Sequence, residues 1–85
     1  MISESQLRLL SAVDGGRVRL ARAGWELAAQ RARAADSRGL VDAEASGWIS
    51  VPYVPVEPGE SVKARLTDAG RELLAQHWPE WRPAQ

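Results

Sequence analysis

The chain has no cysteine and no phenylalanine, and only one histidine, one lysine and one methionine. Without cysteine there is no disulfide framework, no thiolate zinc site and no thiol nucleophile, and a reducing cytoplasm is the natural compartment. No run approaches the ~18 to 20 apolar residues that span a bilayer, and the opening MISESQLRLL carries no basic leader followed by an apolar stretch. Neither membrane insertion nor secretion is expected. The single histidine, His77, falls near the end of the last expected helix, where a cation complements the helix dipole. No nucleophile or orienting group marks a pocket around it. The carboxylates are scattered and form no dense ligand loop, and the pair Gly15 and Gly16 follows a helix instead of opening one. We therefore expect no enzymatic activity, no metal and no other cofactor.

What is present is an ordinary globular composition in a short chain. Its 85 residues are 45% apolar and 26% charged, which places them outside the disordered class. A chain of this size buries only a bit over ~60% of its unfolded surface and supports one core. Residues 1–85 are thus expected to form one domain, with 1–78 as the core and 79–85 as a C-terminal tail. The formal net charge of zero conceals an asymmetry. Residues 1–40 hold seven arginines against four acids, a balance of +3, whereas residues 41–62 hold four acids and no base, a balance of −4. A nucleic-acid surface would have to lie in the first half.

Ser3 with Gln6 forms a capping box, Ile2 and Leu7 a hydrophobic staple, and Leu7, Leu10 and Val13 fall on one face of a helix that stops at Asp14 and the two glycines. Residues 17–22 alternate arginine with apolar residues and predict a short strand with Val18 and Leu20 inward. Residues 25–38 contain no β-branched residue, proline or glycine and are rich in alanine, so they predict a second helix, with Gly39 just past its end. Trp48, Ile49, Ser50 and Val51, then Tyr53 and Val54, predict an edge strand interrupted by Pro52 and Pro55. Pro58 and Gly59 predict a type II turn. Residues 62–66 alternate and return as the partner strand. Thr67 caps a last helix that turns Leu73 and Leu74 inward, and Pro79 stops it after Trp78. The expected core is Leu7, Leu10, Val13, Trp25, Leu40, Leu66, Leu73 and Leu74.

The expected fold class is therefore α+β, in the order helix, short strand, helix, β-hairpin, helix. RGLV at 38–41, the acidic glycine-containing hairpin, and LTDAGRELL at 66–74 together resemble the C-terminal half of winged-helix regulators of the MarR-like and related types. The resemblance covers roughly residues 25–77 and implies a recognition helix that ends at RGLV, a β wing, and a helix opened by the LTDAGRELL segment. Two departures stand out. Residues 23–38 have room for one full helix where the family has two, and the wing tip carries Glu57 and Glu60 where DNA-binding wings usually carry a base.

Arg31, Arg33 and Arg38 are the candidates for DNA contact from the expected helix, because arginine serves both phosphate clamping and bidentate guanine readout. Helical geometry sets Arg33 about 160° from Arg31, so they form no tight stripe, and a solvated helix surface is the plainer account. Arg17, Arg19 and Arg22 would add phosphate contacts from the short strand, or simply protect an edge by charge. Trp48, Tyr53, Trp78 and Trp81 are candidate protein-interface anchors, while Trp25 suits the core. The expectation is a DNA-binding transcriptional or accessory regulator that contacts double-stranded DNA, with dimerisation needed for useful specificity. The alternative is a winged-helix scaffold that binds a protein through its acidic wing and exposed aromatics.

Overall fold

The computed structural model of the chain describes residues 2–78. Helix α1 (Glu4–Asp14) begins where the capping box places it, with Gln6 N–H donating to Ser3 Oγ at 3.1 Å. Strands β1 (Val18–Ala21), β2 (Gly24–Leu27) and β3 (Gln30–Arg31) follow, then α2 (Ala34–Ala45), β4 (Ile49–Ser50), β5 (Ser61–Lys63), β6 (Arg65–Leu66) and α3 (Asp68–His77). The result is a small α+β domain of three helices with antiparallel sheets ordered β3-β2-β1-β5 and β4-β6.

The alternation predicted for residues 62–66 holds throughout. Val62, Ala64 and Leu66 are buried while Lys63 and Arg65 are exposed. Ala64 N–H donates to Val18 O at 3.0 Å, so one extended run pairs first with β1 and then with β4. Thr67 caps α3 as expected, its Oγ1 accepting from Gly70 N–H at 3.1 Å. Glu60 N–H donates to Glu57 O at 3.1 Å with Gly59 at φ 81°, the geometry expected of Pro58 and Gly59.

Two expectations are corrected. Residues 25–38 do not form one helix, since 25–33 are not helical. They open as the β2–β3 hairpin, whose turn is Ala28 and Ala29 at φ 53° and 64°. Trp25 is buried at an inward position opposite Leu20, and the energy of seating that ring on the core outweighs the modest helix preference of the neighbouring alanines. The second helix starts only at Ala34 and runs to Ala45, so RGLV lies inside it and not at its end. Gly39 is accordingly a mid-helix residue. The second correction concerns the wing. Only Ile49 and Ser50 pair with residues 65–66, and residues 51–60 form a loop, because Pro52 and Pro55 lack the N–H a strand ladder needs.

Leu10, Val13, Trp25, Leu40, Leu66 and Leu74 are buried as expected, joined by Leu9, Val18, Ile49, Val62 and Ala64. Leu7 and Leu73 are only half-buried and pack on the margin of this core. Helix α1 is central, touching α2, α3 and β6. Among the described residues no helix is long and apolar enough to cross a membrane. Pro79 and Trp81 lie outside the described residues.

Candidate nucleic-acid interface

Strand period and register together decide where the arginines go. Leu20, Trp25 and Val62 are cross-strand neighbours on the inner face, so the next residue along each strand points outward. Arg19 is opposite both Glu26 and Lys63, and Glu26 is opposite Arg31. Arg31, Glu26, Arg19 and Lys63 thus form one row across four strands, about 14 Å long at ~4.8 Å per strand. Arg17, two residues before Arg19, is exposed but borders a different depression, between α1 and residues 27–28.

The row is partly pre-organised. Arg19 Nε donates to Ser61 Oγ at 2.8 Å and a terminal nitrogen donates to Ser61 O at 3.1 Å. The other donors of the guanidinium fork remain available to a ligand. Arg17 Nε and Lys63 Nζ lie 3.6 Å and 3.3 Å from where Cβ atoms on Gly15 and Gly16 would stand, beside the C-terminal turn of α1. Cations are favoured there by the helix dipole. Arg31, Glu26 and Lys63 form no ion pair with another described residue, whereas Arg8 with Glu4 and Arg71 with Asp68 do so at 3.0 Å.

The remaining candidates separate from this row. Arg22 sits in the β1–β2 turn and borders a shallow depression with Glu26, Glu60 and Ser61. Arg33 is the N-cap residue of α2 and makes no side-chain capping bond. Arg38 lies further along α2, in a groove shared with Ser3, Gln6 and Asp42 from the α1 and α2 surfaces. The structure therefore brings Arg19 and Arg31 into one row with Lys63, sets Arg17 in a separate depression with Arg8, Leu27 and Asp36, keeps Arg22 at the β1–β2 turn, and sets Arg38 apart. Nothing in the sequence alone singles out Lys63 or Glu26. The alternation of residues 62–66 does point Lys63 away from the core, but no local signal announces that β1 is its neighbour.

Of the aromatics, Trp48 and Trp78 are half-buried and pack against the core. Tyr53 is 51% exposed and lies in an apolar stretch with Val54 and Val56, at 70% and 73%. At the loop tip Glu60 is engaged, its Oε1 accepting from Val56 N–H at 3.2 Å, while Glu57 is exposed. Comparison of the chain with protein-family models, curated proteins and solved structures finds no match.

Proposed function

We propose that the protein is a winged-helix-like DNA-binding regulator, transcriptional or accessory, that meets duplex DNA with the outer face of its sheet. The observation that carries this is the alignment of Arg19, Arg31 and Lys63 in one row on the outer sheet face of a chain whose net charge is zero. Duplex is favoured over single-stranded nucleic acid because Trp25 points into the core and the outward row is without the aromatic platform on which unpaired bases stack. What supports the winged-helix part of the reading is the resemblance of RGLV at 38–41 and LTDAGRELL at 66–74, although RGLV lies within α2 and residues 51–60 form a loop and not a paired wing.

Electrophoretic mobility shifts at two salt concentrations test the reading. Arg19→Ala, Arg31→Ala and Lys63→Ala should each weaken binding and lower the salt slope of log K by about one for each phosphate no longer neutralised. Arg38→Ala, off the row, should have less effect. Absence of binding by the wild type at ~50 mM salt and micromolar protein would sink the proposal, since nonspecific affinity alone is visible under those conditions.

A second reading, protein binding, is favoured by one observation, the exposed apolar stretch of Tyr53, Val54 and Val56. Its mark would be a protein complex that Tyr53→Ala disrupts while DNA binding is unchanged.

A further inference from the structure

We infer that the face formed by β1, β2 and β3 reads base edges in the major groove, and that Glu26 is the residue selecting sequence there; this rests on the duplex-binding reading above. A surface that held only phosphates would gain nothing from a carboxylate in its midst, because like charges repel. Yet Glu26 stands between Arg19 and Arg31, directly opposite each in the two registers. It is half-buried among its neighbours and forms no ion pair with another described residue.

An Arg, Glu, Arg row presents donors, acceptor, donors. In the major groove, arginine donates to guanine O6 and N7, and a carboxylate accepts from cytosine N4. The row is therefore complementary to G·C edges and mismatched to an unbroken line of phosphates. The major groove, ~12 Å wide, admits a two-stranded β-ribbon whereas the minor groove, ~6 Å wide, does not, and the β2–β3 hairpin at the edge of the sheet, which carries Glu26 and Arg31, is such a ribbon. With that hairpin lying along the groove, Glu26 and Arg31 come over the base edges, and Arg19, held to Ser61 on β5, reaches in from the rim. Lys63, one strand beyond Arg19, then falls over the phosphates of one wall. The bonds from Arg19 to Ser61 hold that guanidinium in place before DNA arrives, which reduces the ordering cost of readout.

Selection from a random duplex library with the wild type, Glu26→Ala and Glu26→Gln tests this, with matched melting curves as the check on folding. The wild type should enrich a short core containing G·C pairs. Glu26→Ala should lose preference at one base pair of that core by about 5- to 100-fold, yet bind random duplex as tightly as the wild type or more so. Glu26→Gln, which keeps the shape and loses the charge, should shift the preferred base at that same position. Two results would overturn the inference while leaving duplex binding intact. One is a wild type that binds duplex without enriching any core. The other is a Glu26→Ala variant that keeps the wild-type preference and gains affinity equally for all sequences. A wild type that binds no duplex would overturn the function itself.

Discussion

Gly70 determines how near α3 can approach the chain leading into β4. A Cβ built there collides with the carbonyl oxygen of Trp48. That same oxygen accepts from Thr67 N–H at 3.0 Å, and Thr67 Oγ1 donates to Gly47 O, so the start of α3 is bound to residues 47–48 by backbone that cannot swing aside. Gly70→Ala should therefore cost about 1–3 kcal/mol by overpacking, a fall of roughly 4–8 °C in Tm for each kcal/mol in a domain this size. Gly39 makes a useful contrast. Its added Cβ would stand 2.6 Å from Leu9 Cδ1, the far end of a side chain that can rotate, and alanine in a helix interior recovers up to about 1 kcal/mol relative to glycine. Gly39→Ala should lose clearly less than Gly70→Ala. Equal losses in thermal melts would show that the collision with the Trp48 carbonyl is not what holds position 70 to glycine.

Among the elements, the β2–β3 hairpin is where local preference and tertiary structure conflict. Ala28 and Ala29 both occupy the left-handed region, which costs a residue with a Cβ roughly 1–2 kcal/mol. The sequence Asn-Gly suits such a two-residue turn far better. Ala28→Asn with Ala29→Gly should raise Tm by about 5–10 °C, read from a circular-dichroism melt; a lowered Tm would mean that the turn is not as described. This hairpin also explains what can be read in the sequence. Both ends of α1 and the start of α3 are legible because Ser3, Gly15 and Thr67 act within one turn of their own helices. The alternation of residues 17–22 and 62–66 is legible for the same reason. Residues 25–31 are not, since alanines among other helix formers outweigh, locally, a single tryptophan whose inward position depends on β1. The candidate site follows suit. The strand period alone points Arg19 outward, but the nearness of Arg31 and Lys63 to it is a matter of register, which no local pattern records.

For the molecule as a whole, charge is sorted more than its zero net value suggests. The basic row lies on the outer sheet face, and the acidic tip of loop 51–60 flanks it on the side of the β1–β2 turn, where Pro58, Gly59 and Glu60 meet Ala21, Arg22 and Glu26 around the shallow depression. Glu57, exposed at that tip, would repel any polyanion laid on the row, whereas Glu60 is engaged with the loop backbone. Glu57→Lys should accordingly tighten duplex binding and steepen its salt dependence, measured by mobility shift at two ionic strengths. Unchanged affinity would place the DNA away from the loop. The pairing of β1 with β5 has a further consequence, for synthesis. Arg19 and Ser61 are 42 positions apart, so a ribosome adding ~5–20 residues per second leaves one edge of β1 unpaired for about 2–8 s. An open edge invites other nascent chains to add a strand, and a charged residue in its middle discourages them. Arg19 occupies that middle position, so the residue proposed to meet DNA in the finished protein also guards the chain while it is being made.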